Sequence, residues 1–229
     1  MITTIISIGL SVFVAIWISK TVYENWYRRR FILEIWREFK FIRILETFGV
    51  LLLVVIAAIL LNQVTWLSYG YMHLVYPEGG SVISSAVGDP NVTHGVAWMQ
   101  IGSICFLLLF GLAVPFLAEI EEQMFRDGVL EHKKMIKKSL LFGIVHCIMG
   151  VSLGTAIAIS IAGYFFAVKY RKHYYKTLDE HTTSEFWSSS YGKHRRAETK
   201  ALKMSTAYHS IYNMIIIIFS LAYTIYSLL

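Results

Sequence analysis

The chain alternates long apolar runs with short segments that hold all of its basic residues. Its 21 lysines and arginines fall into three groups, with seven in residues 20–43, five in 126–138 and nine in 169–203. Several of the stretches between these groups reach the roughly 20 apolar residues that a helix needs to cross a bilayer. Basic segments of membrane proteins collect on the cytoplasmic face or its matrix or stromal equivalent. The pattern therefore predicts a multi-pass integral membrane protein whose basic segments share that side.

The number of predicted spans depends on one ambiguous run. Four apolar runs qualify directly, at residues 2–19, 44–66, 99–120 and 205–229. As one helix, a fifth run at 139–168 would be about 45 Å long, well beyond a hydrocarbon core of about 30 Å. A single crossing would also place the second and third basic groups on opposite sides. We therefore predict a hairpin with its turn in residues 150–154, and an all-α polytopic transmembrane helix bundle of about six helices with both termini on the outer side.

The composition agrees with this class. Hydrophobic residues make up 56% of the chain and charged residues 16%, whereas a soluble domain carries about a quarter charged residues. The net charge of +6 is explained by topology and by anionic lipid headgroups, so we expect membrane lipids as partners and no nucleic acid. Cys105 and Cys147 lie in apolar runs, which indicates small buried residues and not a disulfide.

Polar and ionisable side chains lie within or at the end of three predicted helices, where such groups are costly and usually functional. At 1.5 Å per residue they lie at a similar depth below the inner face, and pairs four residues apart share a helix face. The set comprises Glu121, Glu122 and Arg126 on the third helix, His146 on the fourth, and His209 and Asn213 on the sixth. Taken one at a time, each of these residues has a simpler explanation, namely a side chain among the lipid headgroups, a local ion pair or an interhelical hydrogen bond. Their shared depth predicts a cavity open to the inner side.

Three motifs in this set resemble, in order, those of the CAAX protease and bacteriocin-processing family of intramembrane peptidases, the Abi-type family that includes the Ras-converting enzyme. The motifs here are Glu121-Glu122-x-x-x-Arg126, Phe142-x-x-x-His146 and His209-x-x-x-Asn213. The resemblance implies a four-helix core at residues 99–229. It is preceded at 1–98 by two helices, a basic inner loop and an aromatic outer loop. The chain departs from the family in Asp127, where many relatives have glycine, and in a polar basic insertion at about 170–204.

The resemblance implies an intramembrane endopeptidase that cleaves a peptide or membrane protein near the inner face. Glu121 is then the general base on a water, assisted by His146, while His209 and Asn213 donate to the oxyanion. Glu122 and Arg126 hold the helix end, and Phe142 supports the site. No cofactor is expected. A zinc version built on His146, His209 and a glutamate is less favoured, because no two histidines here have the i,i+4 zincin spacing.

Two other classes of function stay open from the sequence. The first is a non-catalytic subunit or assembly factor of a larger membrane complex, built on the peptidase scaffold. The two functions can be distinguished by testing whether Glu121, His146 and Asn213 are required for the activity of the protein, as an enzyme would need. The second is haem or pigment binding through His146 and His209, since two facing imidazoles can ligate haem. This second reading gives the glutamates no role.

Overall fold

The computed structural model describes residues 2–70, 97–182 and 190–226, with side chains described in 12–70, 101–180 and 192–226. Throughout these ranges the regular structure is helical, which confirms the predicted all-α class. The helices are α1 (Ile2–Asn25), α2 (Arg29–Trp36), α3 (Phe41–Asn62), α4 (Thr65–Ser68), α5 (Ala97–Arg126), α6 (His132–Val145), α7 (Leu153–Thr182) and α8 (Ser190–Tyr226). Most of the predicted aromatic outer loop lies outside the described residues.

Four helical segments are long and apolar enough to cross a membrane. They are Phe41–Asn62, Ile101–Arg126, Leu153–Glu180 and Gly192–Tyr226. The protein is therefore all-helical and has the make-up of a membrane protein, as the apolar runs predict. The first predicted span forms part of α1, in which the side chains before Val12 lie outside the description.

The ambiguous fifth run is divided into two helices, as the charge distribution predicts. After α6 a short 3-10 turn ends at Gly150, whose φ of 85° is a left-handed conformation that favours glycine and stops the helix. The helices α6 and α7 then pack antiparallel, with Gly143 against Ser160 and Gly163 against Ser139. Glycine at both crossing points lets the two backbones approach closely.

The polar segment at residues 170–204 is helical on both sides of 183–189, which lie outside the described residues. α7 continues past the apolar run to Thr182, and α8 begins at Ser190. The two extensions pack on each other through Tyr170, Tyr174, Ala197 and Ala201. The segment thus prolongs two helices of the bundle.

The main core lies where α3, α6, α7 and α8 meet the end of α5. α1 packs outside this group, with Ile18 and Val22 against Ala113 of α5. The largest buried cluster includes Leu51, Val54, Phe125, Phe142, Phe166, Tyr208 and Tyr212. Aromatic rings therefore surround the end of α5, where the Glu-Glu-x-x-x-Arg motif lies.

The three basic groups lie at one end of the bundle. Ion pairs between distant parts of the chain gather there, namely Arg28–Glu119 at 2.7 Å, Lys169–Glu46 at 2.7 Å and Lys203–Glu34 at 2.5 Å. The backbone N–H of Gly128 donates to the Tyr170 hydroxyl at 3.2 Å, which brings the second basic group to the third. The three basic segments, which the positive-inside rule predicts on one side of the membrane, are thus also connected to one another by tertiary contacts.

Candidate functional site

The Glu122 carboxylate lies at the centre of the polar site. It is fully buried near the end of α5 and receives donors from α8. Ser205 Oγ donates to Oε2, and His209 Nδ1 lies 2.9 Å from Oε1. Arg126, one turn further along α5, places Nε 3.5 Å from Oε2. Because buried charges must be paired or hydrogen-bonded, this arrangement compensates the burial of the carboxylate.

Arg126 is enclosed by aromatic rings and the backbone of α7. Its side chain is 1% exposed, and Nη2 donates to the Gly163 carbonyl at 3.1 Å. The guanidinium lies 4.2 Å from the centroid of the Phe142 ring, with the Phe125 and Phe166 rings at 5.5 Å and 5.8 Å. Cation–π attraction thus adds to the pair with Glu122. Arg126 and Phe142, which belong to two different sequence motifs, are therefore in direct contact.

His209 lies between the two glutamates. Its ring stacks on Phe166 with centroids 4.6 Å apart, and the edge contact with Phe142 has centroids 5.6 Å apart. Nε2 lies 3.7 Å from Glu121 Oε2, on the opposite side of the ring from the Glu122 contact. One carboxylate is thus buried and anchored, whereas the Glu121 side chain is 36% exposed.

The proton positions at His209 follow from these contacts. An ionised carboxylate can only accept hydrogen bonds, so Nδ1 donates to Glu122. A neutral His209 then presents a lone pair at Nε2 towards Glu121 Oε2, a buried oxygen that has no donor in the described part of the chain. Two acceptors face each other, and a proton or a bridging water is needed between them. This position is where the site can exchange a proton.

His146 lies beside this network but does not join it. It begins the turn after α6, and its Nδ1 donates to the Phe142 carbonyl at 2.7 Å. Its ring contacts the Phe142 ring, with centroids 4.7 Å apart. Since Nδ1 carries the proton, Nε2 of the neutral ring is the acceptor. Phe142 thus touches the imidazoles of both His146 and His209.

Asn213 lies one turn beyond His209 on α8 and is half-buried. Among the residues that the structure describes, its amide has no hydrogen-bond partner. His209 and Asn213 lie four residues apart on α8 and so share one helix face, as the sequence predicts. The His209 imidazole, however, contacts Glu121 and Glu122. The amide is free to bind another group.

The sequence interpretation missed two residues of the site. The Ser205 hydroxyl has two acceptors within reach, Glu122 Oε2 and the Phe166 carbonyl at 3.1 Å, and its single hydrogen bonds to one of them at a time. Ser205 precedes His209 by four residues, so helical spacing could have identified it. Gly163 also escaped notice. A Cβ there would lie 2.8 Å from Phe142 Cδ1 and 3.2 Å from Arg126 Nη2. A larger residue at this position would therefore displace the Phe142 ring and crowd the buried guanidinium.

No group of three His, Cys, Asp or Glu side chains with a metal-binding arrangement occurs in the described ranges. Comparison with protein-family models, curated proteins and solved structures gives no match. The case for a function therefore depends on the motifs and on the geometry of the carboxylates and imidazoles.

Proposed function

We propose that this protein is an intramembrane endopeptidase that hydrolyses peptide bonds with a glutamate-activated water. The observation that carries the proposal is His209 held between an anchored carboxylate, Glu122, and a half-exposed carboxylate, Glu121. A carboxylate next to an imidazole is a common device for general acid–base chemistry near neutral pH. The motif resemblance supports the same proposal, because Glu121, Glu122 and His209 are also residues of the sequence motifs.

In the proposed mechanism Glu121 takes a proton from a water, and the hydroxide attacks the scissile carbonyl carbon. His146 Nε2, as an acceptor, helps to orient the same water. The oxyanion accepts from Nε2–H of a protonated His209 and from the Asn213 amide. Glu121 then gives its proton to the amine that leaves. One such oxyanion donor contributes about 3 kcal/mol in a preorganised site.

Glu122, Arg126 and Ser205 act as positioning residues in this scheme. Glu122 fixes the orientation of the His209 ring through Nδ1, so that Nε2 points towards Glu121. The pair with Arg126 and the Ser205 donor hold the carboxylate in turn. Such second partners of a catalytic imidazole determine its tautomer and direction.

We also propose the membrane arrangement that charge and hydropathy favour. The chain crosses six times, both termini lie on the outer side, and the three basic groups lie on the cytoplasmic side or its matrix or stromal equivalent. The gathering of these groups at one end of the bundle supports this arrangement. Cleavage then takes place near the inner face, on a peptide or membrane-protein substrate.

The test is cleavage of a quenched fluorescent peptide library by protein in nanodiscs. Glu121→Gln should lower the rate by about 10²- to 10⁴-fold, the usual contribution of a general base. Glu131→Gln is the matched control, because its side chain is 56% exposed on another part of the surface. A chelator should leave the wild-type rate unchanged, whereas loss of activity would favour the zinc version.

The peptidase proposal is wrong if wild type and Glu121→Gln cleave equally. A second result would also contradict it. An inactive Glu121→Gln variant of a peptidase should hold uncleaved substrate, so the proposal is wrong if the wild type cleaves nothing and the purified variant carries no more bound membrane peptides than the purified wild type. The second candidate, a non-catalytic subunit of a membrane complex, would then be preferred. The burial of Glu122, Arg126 and His209 supports that candidate, since these three side chains pair with one another inside the helix bundle and hold helices α5 and α8 together.

The haem alternative is tested by an absorption spectrum of the purified protein. Haem iron would bind Nε2, and Nε2 of His209 lies 3.7 Å from Glu121 Oε2, a carboxylate at the position that the iron would take. This contact favours the acid–base site over axial ligation. A Soret band that disappears in His209→Ala would reverse this preference.

A further inference from the structure

The short helix α2 lies between the end of α1 and the start of the apolar span in α3. Its inner face is buried, with Ile32 4% exposed and Ile35 fully buried. An amphipathic helix between two membrane segments lies at the level where the apolar runs end. It is therefore placed at the membrane surface, at the basic end of the bundle.

Contacts on both flanks fix the orientation of α2. Just before it, the Arg28 guanidinium donates to Glu119 of α5 and lies 5.0 Å from the Phe31 ring centroid. The Phe31 ring in turn stacks on Phe116 of α5 at 6.2 Å. On the other flank Lys203 of α8 donates to Glu34. The helix cannot turn its outward face without breaking these links.

The outward face of α2 and the residue after it combines arginine with large apolar side chains. At 100° per residue its members share an arc of about 120°. Leu33 and Trp36 are 54% and 42% exposed. The face consists of Arg29, Arg30, Leu33, Trp36 and Arg37.

In the segment around α2, residues 26–40, the charges that remain outside ion pairs are all positive. Its two acidic residues are already paired, Glu34 with Lys203 and Glu38 with Arg43. Within the described ranges, four basic residues of segment 26–40 form no ion pair shorter than 4 Å, namely Arg29, Arg30, Arg37 and Lys40, and Glu34, which the Arg37 charge also affects, is already bonded to Lys203. An anionic surface is therefore the complementary partner.

We propose that the outward face of α2 binds the headgroups of anionic phospholipids. The guanidinium groups of Arg29, Arg30 and Arg37 contact lipid phosphates, for which their planar donors are well suited. Leu33 and Trp36 lie at the boundary with the acyl chains, the depth that tryptophan prefers. This lipid site is independent of the proposed peptidase activity. It connects the leaflet to the two helices that carry Glu122 and His209.

The test is quenching of Trp36 fluorescence by brominated lipids in nanodiscs. The difference between wild type and Trp36→Phe isolates this residue from the other tryptophans. Brominated phosphatidylglycerol should quench Trp36 several-fold more effectively than brominated phosphatidylcholine. Each arginine contributes up to about fivefold to this preference, so the R29Q/R30Q/R37Q variant should show a ratio near one.

Two variants and a salt titration make the result specific. R29K/R30K/R37K keeps the charge and should keep most of the preference. K133Q/K134Q/K137Q removes the same charge from exposed residues of α6 and should leave Trp36 unaffected. About 0.5 M salt should abolish the wild-type preference, because screening then acts within a few ångströms.

Three outcomes would overturn the proposal. Trp36 that neither lipid quenches would mean that α2 faces water or a protein partner. A lipid preference that survives in R29Q/R30Q/R37Q, or at high salt in the wild type, would mean that the arginines do not hold the phosphates. An equal loss in the α6 variant would indicate the field of the whole molecule and no local site.

Discussion

Breaking the Glu122–Arg126 pair should be among the most destabilising changes in this protein. Both side chains are shielded from solvent, with exposures of 0% and 1%, and removing one partner of such a pair costs about 3–5 kcal/mol. Arg126→Met leaves the carboxylate with two donors, Ser205 and His209, so we expect about 3 kcal/mol. Glu122→Leu leaves a buried guanidinium and an unpaired His209 N–H, while Ser205 keeps the Phe166 carbonyl as its acceptor, so we expect about 5 kcal/mol.

The double variant Glu122→Leu/Arg126→Met should cost less than the two single changes together. It leaves no buried charge, and its remaining cost is that of the unpaired His209 N–H, about 1–3 kcal/mol. The coupling free energy between the two positions is therefore expected to be at least about 3 kcal/mol. This coupling distinguishes a desolvated pair from two side chains that act separately.

The assay is reversible unfolding in mixed micelles with increasing sodium dodecyl sulfate, followed by circular dichroism. Lys134→Met is the control, since Lys134 pairs with Glu131 at 3.2 Å but is 70% exposed. It should change the free energy of unfolding by less than about 1 kcal/mol. The reasoning would be refuted if the single changes at Glu122 and Arg126 each cost under about 1 kcal/mol, or if their effects added.

Two further changes test the packing and the surface electrostatics. Gly163→Ala should lower the free energy of unfolding by about 1–3 kcal/mol, because its Cβ would lie 2.8 Å from Phe142 Cδ1. Gly49→Ala is the control and should not destabilise the protein, because there is open space around Gly49. Equal unfolding free energies for the two variants would contradict this expectation. The hydrogen bond from Lys203 lowers the pKa of Glu34, so its stabilisation is complete above the ordinary carboxyl pKa and is lost as pH falls through the lowered value. Unfolding followed from about pH 6 to about pH 3 should depend less on pH in Glu34→Gln, and an unchanged dependence would disprove the link.

Local sequence properties were sufficient for the helical class and for the hairpin after α6, and they singled out Glu122, Arg126 and His209, which meet in the structure. Hydropathy over 20 residues and the exclusion of charge from apolar runs are properties of short windows, so they can be read without knowing the fold. The i,i+4 spacing of Glu122 and Arg126 likewise requires only that the segment is helical. The six crossings and the sidedness of the termini stay predictions.

Partner choice within the site was decided by tertiary structure. Spacing paired His209 with Asn213, yet the imidazole contacts Glu121 and Glu122, because α5 and α8 face each other at this level. His146 turns to its own backbone where α6 ends. Such contacts depend on the rotation and crossing of helices that are far apart in sequence, which no local period encodes. The sequence determined which groups were available, and packing around Gly163 and Ser205 determined which of them meet.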